Sequence, residues 1–220
     1  MNESFSIDIW SDVVCPFCYL GTRQLQSALD RFEHAEYVAL RHRAFELDPG
    51  APANYNLSLN ELLAKKYSMP VERASSLNAR MESEAAALGM TWKMEDARPG
   101  NTFNAHRLVA LSATQGLADF MSERLFRAYF CEGALVSDTA LLDALASDVG
   151  VIGSNDLWNG DDFSGEVRLD EAEAQELGVT GVPSMLVDGK FMIVGAQGAD
   201  QILDVLERAW AKRQTAATPA

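Results

Sequence analysis

Apolar and polar residues alternate from Phe5 to Trp10, with Phe5, Ile7 and Ile9 on one face, and this period of two predicts a strand. The spacing then becomes helical: Leu25, Leu29 and Phe32 predict a helix over 16–32, with Pro16 suited to its first position. Alternation returns over 37–45 as a second strand, expected beside the first and parallel to it in a right-handed strand–helix–strand unit. From Ser58 the pattern is helical throughout. Ser58 and Glu61 form a capping box ahead of Leu59, Leu62, Leu63 and Tyr67. Pro70 opens a helix whose stripe is Leu77, Met81, Ala85 and Leu88, and Gly89 stops it. After an extended link over 90–94, Asn101 or Thr102 caps a helix ended by Gly116, another spans 118–130, and Ser137 or Asp138 starts a third. A turn over 155–163 and a short helix over 165–178 follow. The α/β texture then returns. A strand is predicted over 180–187, Asp188-Gly189 is a strong hairpin signal, and 190–194 is the antiparallel mate. A final helix buries Ile202, Leu203, Leu206 and Trp210, and 214–220 reads as a frayed polar tail. The fold class is therefore α/β, with 1–50 and 178–213 as one discontinuous domain and 56–177 as a large all-helical insertion.

Composition narrows the function classes. The chain has 220 residues, is 48% hydrophobic and carries a net charge of −14. A full core is available, while phosphate backbones and anionic membranes are poor partners, so no nucleic acid and no membrane are expected. No apolar run is long enough to span a bilayer, and Met1-Asn2-Glu3-Ser4 has no signal-peptide character. With three cysteines in all, the expected compartment is the cytoplasm, where catalytic but not structural disulfides are tolerated.

Cys15-Pro16-Phe17-Cys18 sits where the first strand turns into the first helix. Two cysteines at this spacing and position are the layout of a redox dithiol. A helix N-terminus favours negative charge, so Cys15, expected to face solvent, is suited to attack as a thiolate. Cys18, one turn along and more buried, is suited to resolve. A zinc site needs further ligands, and Cys131, His34, His42 and His106 have no ligand spacing, so no metal is expected. A pair of buried structural thiols is the other bland alternative. Asp12 is expected to be a solvated loop residue. Glu46 is either a surface residue or a proton carrier to Cys18. Cys131 is expected to be a small buried apolar residue.

Asp12-Val13-Val14-Cys15-Pro16-Phe17-Cys18-Tyr19-Leu20-Gly21, Phe45-Glu46-Leu47, the stretch from Asn101 to Arg107, Tyr129-Phe130 and the stretch from Gly178 to Ser184 together resemble the DsbA family, within it the FrnE-like branch. The resemblance implies a thioredoxin-like fold with a helical insertion, and thiol–disulfide oxidoreductase activity with Cys15 as nucleophile. It identifies Gly181, Val182 and Pro183 with the cis-proline loop against the dithiol. It also places Asn101, His106 and Arg107 toward the cleft, where His106 would act on the Cys15 thiol and Arg107 could bind an anion such as a glutathione carboxylate. No bound cofactor is implied, with glutathione a candidate co-substrate. Thiol or disulfide substrates, protein or small molecule, are the implied partners, and a homodimer is expected only as the commonest assembly. The related 2-hydroxychromene-2-carboxylate isomerases carry Ser at the nucleophile position, which this chain does not. Glutathione-dependent isomerisation or transfer on small aromatic molecules, and a chaperone-like binding module, are the alternatives.

Overall fold

The computed structural model describes residues 5–217. Strand β1 (Phe5–Ser11) feeds helix α1 (Pro16–Leu29), and a short 3-10 turn leads to β2 (Val38–Ala44), parallel to β1. The helices α2 (Leu59–Lys66), α3 (Val71–Ala87), α4 (Phe103–Ala113), α5 (Ala118–Glu132), α6 (Thr139–Val149), α7 (Ser154–Leu157) and α8 (Ser164–Glu176) follow. The chain returns as β3 (Ser184–Val187), β4 (Phe191–Val194) and α9 (Ala199–Ala217). The sheet order is β2-β1-β3-β4, with β3 antiparallel to both of its neighbours. The two halves thus close into one mixed sheet, as the split α/β pattern requires.

One sheet face packs on α1 and α9. Phe5, Ile7, Ile9, Leu25, Val187, Ile202 and Leu206 form that core. The opposite face carries Trp10, which packs with Ala174 of α8 and with Val179. Arg43 bridges Asp8 and Asp170 at 2.9 and 2.8 Å, and Trp10 Nε1 donates to the Asp170 carbonyl at 2.9 Å. Helix α8, assigned by sequence to the helical insertion, is therefore docked on the sheet. Its few apolar residues gave only a weak helical signal because the contact is largely made by ion pairs. The main helical core gathers Trp92, Leu108, Met121, Leu125, Phe126, Phe130 and Leu142, and it extends to Cys18, Tyr19 and Leu20 at the start of α1. Tyr19 stacks on Phe126 and Trp92, with ring centroids 4.9 and 5.5 Å apart. That stack fixes the dithiol turn to the helices.

The local signals explain most of the boundaries. Ser58 and Glu61 form the capping box, Asp138 caps α6 through the amides of Ala140 and Leu141, and Asp188 and Gly189 adopt the left-handed turn that joins β3 to β4. Three expectations change. Strand β3 begins at Ser184, not at position 180, because Pro183 offers no N–H to a ladder. Helix α9 continues to Ala217, so residues 214–217 belong to it, while 218–220 lie outside the described residues. On α3, Leu77 and Leu88 are exposed, so its stripe is not all core.

Candidate active site: a dithiol at the end of an apolar cleft

Cys15 is the N-cap of α1, with Pro16 in the first turn. Its N–H donates to the Asp12 carbonyl at 3.0 Å, and its carbonyl accepts from the amides of Cys18 and Tyr19. The sequence thus makes the turn from a tight loop that ends where proline can begin a helix. Both cysteines are free thiols. Contrary to expectation, Cys15 is only 4% exposed. The loop before β3 covers it: the Val182–Pro183 peptide is cis, and the Cys15 thiol donates to the Val182 carbonyl at 3.7 Å. Gly21 makes this approach possible, since a Cβ there would lie 2.9 Å from Pro183 Cγ. Phe17 is about half exposed beside the pair. Cys18 is fully buried, and burial pushes its thiol well above the ordinary range. The hydrogen bond and charge of Cys15 push the same way, a hydrogen bond with the Asp12 backbone offsets part of the rise, and the Asp12 carboxylate adds to it.

Asp12 is not a solvated loop residue. It is 1% exposed, and its Oδ2 accepts from the Leu47 amide at 2.8 Å. His106, on α4, is buried and places Nε2 3.5 Å from Asp12 Oδ1. His106 therefore meets the carboxylate at the foot of the dithiol loop. Burial likewise pushes Tyr129 up, with the Asp12 charge adding to it. Glu46 is buried too. Its Oε2 accepts from Arg168 at 2.7 Å and its Oε1 from Asn101 Nδ2 at 3.5 Å, and desolvation outweighs Arg168 to raise its carboxyl.

The remaining sequence candidates separate. Asn101, which precedes the N-cap residue Thr102, accepts from the Phe103 amide at 2.9 Å at the start of α4. Arg107 is buried and spent on structure. It donates to the carbonyls of Asp162, Leu157 and Gly160 at 2.9, 2.6 and 2.6 Å and to Asn104 at 3.1 Å, clamping the α7–α8 connection. It is not among the residues that line the cleft beside the dithiol, and its guanidinium is taken up by the carbonyls of 157–162. Cys131 is half-buried, with its thiol raised chiefly by burial. Among the described residues no cluster of His, Cys, Asp or Glu could hold a metal ion.

Cys15, Pro16, Phe17, Gly181 and Val182 form one end of a cleft of about 1020 Å³. That volume suits a ligand of peptide or drug size. Its walls are Leu47, Tyr55, Leu57, the α2 residues Leu62 and Leu63, the adjoining Tyr67, and Leu77 and Met81 of α3. Sequence reasoning missed this wall because a helix stripe facing a cleft has the same spacing as one facing a core. The one available signal was the cluster of Lys65, Lys66 and Arg80 beside those apolar positions, all three of which also line the cleft. No helix among the described residues is long and apolar enough to cross a membrane.

No curated protein matches the chain. Among solved structures it is similar to one described as a probable DsbA oxidoreductase from Streptomyces coelicolor, at 33% identity over 98% of this chain and 92% of that one, with a TM-score of 0.91. The 2-hydroxychromene-2-carboxylate isomerase shares the fold at 17% identity, over 97% of this chain and 100% of that one, with a TM-score of 0.68. So does the cytosolic disulfide reductase DsbM from Pseudomonas aeruginosa, at 17% identity, over 94% of this chain and 98% of that one, with a TM-score of 0.63. The model of the DSBA-like thioredoxin domain matches residues 6–207. With its thioredoxin-like sheet, helical insertion and dithiol turn, the chain belongs to the family of DSBA-like thioredoxin domains.

Proposed function

We propose that this protein is a dithiol oxidoreductase that exchanges disulfides through Cys15 and Cys18. The observation that carries the reading is the Cys15 thiol at the N-terminus of α1, against the Val182 carbonyl and at the mouth of the apolar cleft. In the reducing direction the Cys15 thiolate attacks a substrate disulfide. One substrate sulfur leaves as thiolate with the electron pair, and a mixed disulfide forms. Cys18 then gives up its proton and attacks Cys15 Sγ, the second substrate sulfur leaves as thiolate, and the Cys15–Cys18 disulfide remains. The oxidising direction is the reverse. A thiolate suits a helix N-terminus, and the loop carbonyls and amides beside it are suited to pair with an extended substrate backbone.

Apolar walls with a rim of Lys65, Lys66 and Arg80 suit a disulfide with an apolar flank, in a peptide or a small molecule. Glutathione is a candidate co-substrate, and a structure of DsbM with GSH shares this fold at 16% identity, with a TM-score of 0.63. The reading places the protein in the cytoplasm, supported by its three cysteines and by the likeness to a cytosolic reductase. The test is the reduction potential of the pair in a glutathione buffer, with Cys18→Ser as control. A reversible two-electron transition that is lost in the control is expected. A value of about −270 mV marks a reductase, and one of about −120 to −200 mV an oxidase or isomerase. If no internal disulfide forms at any potential, the reading fails.

A further inference from the structure

From the buried Asp12, which borders the cleft, polar side chains lead to the surface through His106, Ser122, His42 and Asp119, none of which is among the residues that line the cleft. Asp12 Oδ1 lies 3.5 Å from His106 Nε2, and that nitrogen is buried without a hydrogen bond among the described residues. His106 lines a small cavity of about 20 Å³ together with Ser11, His42 and Ser122. This is room for about one water molecule, and the walls carry the polar partners such a water needs. Across the cavity, Ser122 Oγ lies 3.2 Å from His42 Nδ1. On the other edge of the same ring, His42 Nε2 lies 2.6 Å from Asp119 Oδ1. The side chain of His42 is 6% exposed and that of Asp119 is 62% exposed, so the series ends in solvent.

We propose that Asp12, His106, Ser122, His42 and Asp119 form a proton path that carries the Cys18 proton from the dithiol to bulk water behind the substrate. The proposal rests on the dithiol reading above. Its need is chemical. Cys18 must lose a proton to attack Cys15 Sγ, and it is fully buried. A substrate seated in the cleft covers Cys15 and Asp12 on the side where both line it, so the proton needs a way out through the residues behind them. The Asp12–His106 pair takes the proton as the Cys15–Cys18 bond forms and the substrate sulfur leaves with the electron pair. The pair then discharges through the cavity to Ser122 and His42, and Asp119 hands the proton to water. In the oxidising direction the proton returns by the same route. The charged neighbours do not interrupt the series. Arg43 and Asp170, which also line the cavity, are paired with each other at 2.8 Å, and Glu46, whose carboxyl feels His106, is held by Arg168.

The experiment is single-turnover reduction of a peptide–glutathione mixed disulfide at low buffer concentration, with and without added imidazole. Wild type and Cys18→Ser run alongside establish the dithiol chemistry itself. If that control is as fast as wild type in closing the cycle, the functional reading fails, whatever His42 does. Given an active dithiol, His42→Ala is expected to slow the Cys18 step by about tenfold or more, and imidazole is expected to restore it, as for a removed proton carrier. The reduction potential stays as in wild type. His42→Ala at the wild-type rate in low buffer overturns the proposal. So does a slowed step that imidazole leaves unchanged, since a merely structural role would give that result. If His42→Ala does not fold, Ser122→Ala is judged by the same two criteria.

Discussion

Alanine at position 21 would direct a methyl group into Pro183. The added Cβ would sit 2.9 Å from Pro183 Cγ, whereas ordinary contact begins at 3.4 Å, so the loop must withdraw by about 0.5 Å. Two effects of opposite sign compete. Replacing glycine inside a helix is worth about 1 kcal/mol of stability. Overpacking against a rigid ring costs about 1–3 kcal/mol. The clash should win, because Pro183 cannot rotate away and Met185 Cε closes the other side at 3.6 Å. The net expectation is a loss of about 1 kcal/mol, or roughly 2–4 °C in Tm for a chain of this size. The functional effect should be larger. Displacing a reacting group by about 1 Å can cost a hundredfold in rate, so withdrawing the Val182 carbonyl from Cys15 by half that should slow disulfide exchange by roughly tenfold. Single-turnover exchange with oxidised glutathione and thermal unfolding read the two quantities separately. If Gly21→Ala is about 1 kcal/mol more stable than wild type with an unchanged rate, the helix and the proline loop are not in the contact described, and the argument fails.

Three further predictions follow from buried groups. Arg107→Ala should lower unfolding stability by about 3 kcal/mol or more in urea, since charged hydrogen bonds to three carbonyls are lost, while the reduction potential of the dithiol stays the same; an unchanged urea midpoint would remove Arg107 as a clamp. Cys18 favours its neutral form in the fold, so its contribution is complete below its ordinary value of 9.0 and is lost as pH rises past it. Reduced wild type should therefore lose up to about 1.4 kcal/mol per pH unit there relative to reduced Cys18→Ala, which parallel denaturation curves across the alkaline range would detect. Glu46 is raised above 4.5 by burial, so the fold prefers it protonated and its contribution falls as pH rises through the folded value. Glu46→Gln should thus be at least as stable as wild type at neutral pH, with the difference shrinking toward pH 4; a less stable variant would mean that the Arg168 pair outweighs desolvation.

The dithiol turn was legible because its signals are local: alternation up to Trp10, then cysteine and proline where a helix can start. The hairpin at Asp188-Gly189 and the caps at Ser58 and Asp138 were legible for the same reason. Asp12 was misread because nothing near it in sequence makes it buried. His106, on a helix almost a hundred residues later, and the Leu47 amide provide its surroundings. Arg107 followed the family motif, but the carbonyls it binds belong to the turn over 155–163, whose sequence marks a turn and not the side chain it would meet. Leu77 and Met81 showed helical spacing without showing whether a core or a cleft lay opposite.

The sheet sets a timetable for synthesis. Strands β1 and β2 are complete by Ala44, yet β3, which pairs with β1 along its other edge, begins only at Ser184. At about 5–20 residues per second, the nascent chain waits roughly 7–28 s before β3 is synthesised. For that interval β1 has an open edge, and Val182, which later covers Cys15, has not been made. A cell that makes this protein must therefore shield the strand edge and keep the thiols from wrong partners, so translation rate and chaperone supply should govern its yield more strongly than its final stability does.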